Sequence, residues 1–225
     1  MAKHASCKIT AVVTALNEQD TIGQLTTALF DYCGDVIVIN DGSTDNTGIY
    51  ASASGAHVVN HHEPHGIASS LMEAWQLALD GGAEWIVQID AGGSHSTEDL
   101  WHMMKQSGDI IIGSRFVPGA SYKGGWRKHF SRLYAKLCNW AISRHVASDW
   151  TSGYRIYSKR SVGVLLKQPA YWTKGHAWQA EILHRAERCG MDIKECPINY
   201  TAGRSSMRWG MIDDAILVWL KVIFL

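Results

Sequence analysis

One stretch constrains the chain more than any other: Trp85-Ile86-Val87-Gln88-Ile89-Asp90-Ala91-Gly92-Gly93-Ser94-His95. Its first half carries Trp, Ile and Val, residue types that fit a pleated, buried strand. The apolar run ends in a carboxylate, Asp90, and two glycines follow that let the backbone turn sharply and approach a bound group. Open α/β sheets bind their ligands outside the carboxyl ends of the strands. A carboxylate there suits a divalent cation, and the cation in turn suits a diphosphate. A strand followed by a solvated Asp-Gly turn is the plainer reading, and this stretch alone does not separate the two.

The flanking sequence repeats the same grammar. Ile9 to Thr14 reads as a first buried strand, followed by Asn17-Glu18 and a helix from about Asp20 to Tyr32 that Gly34 ends. Val36 to Ile39 reads as a second strand, running into Asn40-Asp41-Gly42-Ser43-Thr44-Asp45. A third strand at His57 to Val59, a helix from Ile67 to Leu79, the opening strand and a fifth strand at Asp109 to Gly113 complete the alternation. Strands alternating with helices imply right-handed crossovers and a mostly parallel sheet flanked by helices. Three polar turns then share one sheet edge and make a crevice. Their carboxylates can accept from ribose hydroxyls and base N–H groups. Neither a GxxxxGK[ST] loop nor a GxGxxG after the first strand occurs, which excludes the P-loop and dinucleotide fingerprints.

Residues 113–158 have another character. Gly113-Ser114-Arg115-Phe116-Val117-Pro118-Gly119 leads into a loop rich in glycine and basic residues. A helix from about Phe130 to His145 follows, then Asp149-Trp150-Thr151-Ser152-Gly153-Tyr154-Arg155. Arg115, Arg127, Lys128, Arg132 and Arg155 offer donors, and guanidinium forks hold phosphate in a bidentate way. Arg132 and Lys136 are better read as a solvated helix face. Lys plus Arg and Asp plus Glu number 21 each, so no overall field draws the chain to nucleic acid. The five cysteines are scattered, with no CxxC pair, which points to reduced thiols in the cytoplasm. His61, His62 and His65 with Glu63 read as a polar loop that Pro64 breaks, not as a metal cluster. Trp75, Trp85 and Trp101 read as core.

Taken in order, these motifs resemble family 2 glycosyltransferases of GT-A fold, and most of all the polyprenyl- or dolichyl-phosphate mannose synthases. The resemblance covers about residues 8–210. Asn17-Glu18 resembles the family's N-E, and Asn40 to Thr47 its D-D-G-S-x-D-x-T. Gly113 to Gly119 resembles G-S-R-[YF]-V-x-G. Trp126 to Ser131 is similar to a Trp followed shortly by R-x-x-x-S. Asp149 to Arg155 resembles D-x-T-S-G-[FY]-R. Glu195-Cys196-Pro197-Ile198, with Gly203 and Ser206, resembles a late E-x-P-I strand and G-x-S loop. The chain departs from the family at four places. Gly92 stands where a second carboxylate makes D-A-D, Asn40 replaces the first Asp of D-D-G-S, Thr14 and Leu16 replace a Pro and a Tyr, and no second glycine follows His65-Gly66-Ile67-Ala68.

The resemblance implies a nucleotide-diphospho-sugar donor, GDP-mannose before others, and a polyprenyl phosphate acceptor. It implies one in-line displacement with inversion at the anomeric carbon. Asp90 would steady the leaving nucleotide through Mg²⁺ or Mn²⁺, and Asp41 and Glu18 would hold nucleobase and ribose. Ala15, Asn17, Ala91 and Gly92 complete the donor side, with Arg204 or Arg208 reaching the diphosphate. Arg115, Arg127 and Ser131 would hold the acceptor phosphate, joined by Thr151 and Ser152. Residues 1–208 form the transferase domain on this reading, with a donor half at about 8–113 and an acceptor half at about 114–208. Residues 209–225 form a terminal amphipathic helix, too short to span a bilayer, that suits either an interface or the sheet surface. Two other functions stay open: transfer to a soluble acceptor, and a non-catalytic subunit that binds a nucleotide sugar.

Overall fold

The computed structural model describes residues 8–123, 125, 127–171, 173, 175, 177–202 and 210–224. The first half is the expected alternation: β1 (Ile9–Ala15), α1 (Ile22–Leu29), β2 (Asp35–Asn40), α2 (Thr47–Ala53), β3 (His57–Asn60), α3 (Ile67–Asp80), β4 (Trp85–Gln88), α4 (Leu100–Met103) and β5 (Ile110–Ser114). The second half holds β6 (Ser121–Lys123), α5 (Arg127–Ala141), β7 (Arg155–Ser158), α6 (Lys159–Leu165), α7 (Trp178–Arg188), β8 (Ile193–Pro197), β9 (Asn199–Thr201) and α8 (Gly210–Phe224). The main sheet runs β3-β2-β1-β4-β7-β5-β8, and β6 pairs with β9 in a small second sheet. β7 is antiparallel to both β4 and β5, whereas the other neighbours are parallel.

Side chains alternate across the strands, so each face of the sheet acquires its own core. Val12, Ile37, Ile39, Ile86, Ile110 and Tyr157 face one layer, which contains Trp75 of α3 and Trp178 of α7. Ala11, Val13, Val38, Val87, Ile111 and Ile156 face the other, with Leu25 of α1 and Met103 of α4. Burial on both faces explains why β2 reads as an unbroken apolar run.

β4 stops at Gln88, so Asp90 lies just past the carboxyl end of the strand, where the sequence places it. Other expectations need correction. α1 is shorter than Asp20 to Tyr32, because Phe30 and Asp31 tighten onto carbonyls three residues back. α5 starts at Arg127 and stops at Ala141, not His145. Its Asn139 side chain accepts from Val146 N–H and donates to Ala147 O, and Ser143 turns the chain at φ 55°. Arg155 is fully buried and donates to the carbonyls of Gln179 and Trp150, so it belongs to the core and not to a phosphate site. Trp101 is 45 % exposed, with Lys105 Nζ 4.4 Å from its ring centre. The terminal helix packs beside α5 and α7. Ala215, Val218 and Val222 pack into the core, and Ile216, Leu217 and Leu220 face outward.

Trp75 sits against Tyr157 and Trp178, with ring centres 4.7 and 5.1 Å away, and is wholly buried. Trp75→Ala should therefore cost about 3–5 kcal/mol of stability, read from the urea midpoint at unchanged slope.

Candidate functional site

At the carboxyl rim of the parallel strands, two turns are stitched together. Asn17 takes the left-handed conformation at φ 57°, which asparagine tolerates better than most residues. Its N–H donates to Ser43 Oγ (2.9 Å), and its side-chain oxygen accepts from Thr44 N–H (2.9 Å). Glu18 N–H donates to Thr47 Oγ1 at 2.8 Å. β1 and β2 pair in register up to Ala15 and Asn40, and Ala15 O accepts from Asp41 N–H. Asn40 donates across to Asn60 at 2.8 Å.

Asp41 is buried, and both its oxygens have protein partners. Oδ1 meets His61 Nδ1 (2.8 Å) and accepts from His65 N–H (2.9 Å), and Oδ2 accepts from Gly66 N–H (3.0 Å). Burial alone would raise this carboxyl, but these hydrogen bonds outweigh it and hold Asp41 below its ordinary range. Gly42 at φ 81° leaves the close space into which the Glu63–Pro64 backbone fits. His61 in turn reaches Glu73 of α3 through Nε2 at 2.8 Å, and its ring stacks on His65. Burial would lower this imidazole, but the two carboxylates prevail and raise it. The histidines thus anchor the loop after β3 to the rim. Neither the polar-loop reading nor a metal cluster anticipates this carboxylate–imidazole–carboxylate bridge. The sequence signal for it is weak, a His twenty residues beyond Asp41.

Asp90 occupies the next turn. Its side chain is 45 % exposed, and Oδ2 lies 3.3 Å from His95 Nε2. His95 is buried, packed between Tyr154 and Tyr200, and bridged to Tyr200 through the backbone. Gly153 lies against the carboxylate, where a Cβ would come within 2.5 Å of Asp90 Oδ1. Ala91 is buried, and its carbonyl accepts from Thr21 Oγ1 at 2.8 Å. A Cβ on Gly92 would lie 3.4 Å from Glu18 Oε1. Burial raises Glu18, a hydrogen bond with Thr21 opposes this, and the charges of Asp45, Asp90 and Asp20 add to the rise.

The third part of the rim belongs to Arg115, which is also buried. Its Nε and Nη2 donate to the two oxygens of Asp149, each at 2.7 Å, and its N–H donates to Oδ2 at 3.0 Å. Nη2 also donates to Thr151 Oγ1 at 2.6 Å. Burial would raise Asp149, but the guanidinium charge overcomes this and lowers it. The rings of Tyr122 and Tyr200 lie 5.3 and 5.1 Å from the guanidinium carbon. Ser152 is fully buried, and its hydroxyl donates to Gly113 O, so it shapes the turn. Ser131 is buried on α5. The side chains of Arg127, Arg204 and Arg208 fall outside the described residues. Tyr200 touches both His95 and Arg115, and Glu18 lies between the Asp41–Thr47 loop and the Gly92 turn. Asp41, Asp90 and Arg115 therefore border one continuous rim.

Among the described residues, no three His, Cys, Asp or Glu side chains gather to hold a metal. Asp90 and Glu18 are nonetheless hard oxygen donors on facing turns. Mg²⁺ commonly uses one or two carboxylates and fills its shell with water and phosphate oxygens. The donor set fits such a cation, and Gly92 leaves room for it.

Comparisons with known proteins place the chain in a family and a fold. Residues 10–163 match the profile of Glycosyl transferase family 2. An undecaprenyl-phosphate mannosyltransferase of Micrococcus luteus is 27% identical over 240 residues, covering 93% of this chain and 91% of that protein. A polyprenol monophosphomannose synthase of Mycolicibacterium smegmatis is 28% identical over 224 residues, covering 91% and 83%. Among solved structures, glucosyl-3-phosphoglycerate synthase of Mycobacterium tuberculosis, in complex with Mn²⁺ and UDP-glucose, superposes with a TM-score of 0.74. The two are 21% identical, and the match covers 98% of this chain and 80% of that one.

The His61 bridge carries a pH signature. A raised imidazole stabilises fully below its unfolded value of about 6.5 and loses that contribution as pH climbs through the folded value. His61→Ala should cost about 1–3 kcal/mol at about pH 6, and the gap from wild type should narrow by about pH 9 in parallel denaturant titrations.

Proposed function

Because the chain belongs to glycosyl transferase family 2 and is a glycosyltransferase of GT-A fold, we propose that it moves mannose from GDP-mannose to a polyprenyl phosphate with inversion. The observation that carries this reading is the shared rim, where acidic turns face a fixed guanidinium across the His95–Tyr200 contact. The names of the two bacterial relatives supply the sugar and the lipid class.

On this reading an acceptor phosphate oxygen attacks the anomeric carbon from the face opposite the leaving group. The new carbon–oxygen bond forms as the bond to the nucleoside diphosphate breaks. The acceptor is already an anion, so no base has to remove a proton, and catalysis rests on positioning and charge. A divalent cation, when bound, would neutralise charge on the diphosphate, with Asp90 holding it. Ala15, Asn17, Glu18, Ala91 and Gly92 border the donor, and Arg204 reaches its diphosphate. Asp41 acts through the loop it fixes, since its oxygens are already engaged. Arg127 and Ser131 take the acceptor phosphate. Arg115, its charge balanced by Asp149 and its Nη2 also on Thr151, fixes the turn that borders the acceptor.

The acceptor side also suits a lipid surface. Leu133, Leu137 and Trp140 of α5 are exposed at helical spacing, and α8, packed beside it, exposes Ile216, Leu217 and Leu220. Arg132 and Lys136 are exposed alongside, which fits an anionic bilayer. Among the described residues no helix is long and apolar enough to cross a membrane, and we read the contact as peripheral.

Incubation with GDP-mannose, Mg²⁺ or Mn²⁺ and a polyprenyl phosphate should yield a lipid-linked mannose of inverted configuration. Asp90→Asn should lower kcat by about 10²–10³-fold with the fold intact by circular dichroism. Transfer only to a water-soluble phosphate acceptor, or nucleotide binding without transfer, would replace this reading with one of its rivals. Wild-type protein should sediment with vesicles containing anionic lipid, and Trp140→Glu with Leu217→Glu should weaken that association about tenfold or more.

A further inference from the structure

Gly92 removes a carboxylate from the turn after β4, and the structure shows what takes up the space. A side chain begun at Gly92 would meet the Glu18 carboxylate, with Oε1 at 3.4 Å, Oε2 at 3.8 Å and Cδ at 3.9 Å from the Cβ position. The Glu18 head therefore lies where the tip of a residue at 92 would point. Its backbone is fixed on both sides. The N–H donates to Thr47 Oγ1, and the carbonyl accepts from the N–H groups of Thr21 and Ile22. Thr21 Oγ1 donates to Ala91 O, which ties the turn after β1 to the turn that carries Gly92. The two turns cannot drift apart without breaking that bond.

The surroundings favour a cation. Asp20, Asp45 and Asp90 all act on Glu18 as like charges, and Glu18 is itself half-buried. Asp90 is held from two directions, by the close approach of Gly153 and by His95 Nε2. The His95 side chain is only 1 % exposed, and its Nδ1 is buried with no partner. Carboxylates that ligate metals are commonly oriented by such outer hydrogen bonds. Two carboxylates on facing turns make half of an octahedral shell at most, so the remaining positions fall to water and diphosphate oxygens.

We propose that Glu18, from the turn after β1, supplies the carboxylate that position 92 lacks, and that with Asp90 it binds a divalent cation of the Mg²⁺ and Mn²⁺ class together with a nucleoside diphosphate. The proposal rests on the nucleotide-sugar donor in the function given above and is independent of the acceptor. It also makes positions 18 and 92 interchangeable. Gly92 is not in the left-handed region, and the three atoms nearest its Cβ position all belong to the flexible Glu18 carboxylate, so an aspartate fits there once Glu18 is replaced.

The test reads free Mn²⁺ by electron paramagnetic resonance during titration of protein saturated with GDP, and in a parallel set with UDP. Glu18→Gln should weaken Mn²⁺ binding to the nucleotide-saturated protein about tenfold or more. Gly92→Asp added to Glu18→Gln should bring Mn²⁺ affinity back to within about threefold of wild type. Unchanged Mn²⁺ binding in Glu18→Gln, or no recovery in a double variant that melts as wild type does, would overturn the assignment and leave the transfer reaction standing. If neither nucleotide binds the wild type, the donor reading fails and the assignment falls with it.

Discussion

The buried ion pair between Arg115 and Asp149 organises the second half of the molecule. Asp149 collects the Nε, Nη2 and backbone N–H of Arg115 and the N–H of Thr151. Glu195, from β8, accepts the N–H groups of Ser148 and Asp149, and Ser152 closes the turn onto Gly113 O. Removing one partner of such a pair typically costs about 3–5 kcal/mol, because the survivor is a buried, uncompensated charge. The geometry it enforces matters more than its energy. With residues 149–153 pinned to the end of β5, Gly153 arrives against Asp90, and the chain re-enters the sheet between β4 and β5. The only direction left for β7 is antiparallel. One ion pair thus braces the turn of residues 149–153, the seat of Asp90 and the point where the antiparallel strand enters the sheet.

The rim at β1 and β2 adds a second kind of support to the buried Asp41–His61 pair. Its turns are held by short polar residues that bond to one another's backbones: Asn17 with Ser43 and Thr44, Glu18 with Thr47, Gln19 with Asp45 and Asn46. These residue types favour turns because their side chains mimic backbone partners. Here they do so between turns far apart in sequence. The D-G-S-T-D-N-T stretch therefore has two roles. It forms part of the rim, and it locks the turn after β1 so that Glu18 lies against the Gly92 turn.

Much of this was legible in the sequence, and what was not has identifiable physical causes. The first five strands and the first three helices follow from apolar runs and turn residues, because parallel strands are buried on both faces and leave a plain signal, whereas the four-residue α4 is too short to leave one. β7 left no such signal. It begins with a buried arginine whose partners are carbonyls of residues 150 and 179, and an arginine in a motif reads as a surface cation. The motifs placed Asp90, Glu18 and Arg115 on one rim, but not their partners. Asp149 reads as one more polar residue until the fold brings it to Arg115 from 34 positions away. His61 reads as a loop residue until Asp41 and Glu73 converge on it. Pairings of this kind depend on topology, and local pattern carries no record of them.

The two halves meet through aromatic packing. His95 links Asp90 to Tyr200, and Tyr200 lies against both Tyr122 and the Arg115 guanidinium. A negative group and a positive group are thereby fixed at opposite ends of one packed assembly. Displacement at a sugar carbon by an anionic acceptor asks little else of a protein, since no proton must move and no covalent intermediate is needed. It asks that opposing charges be held at set positions before the reactants arrive, so that no reorganisation accompanies the reaction. A rim braced by the Asp149 pair on one side and by interlocked turns on the other meets that demand.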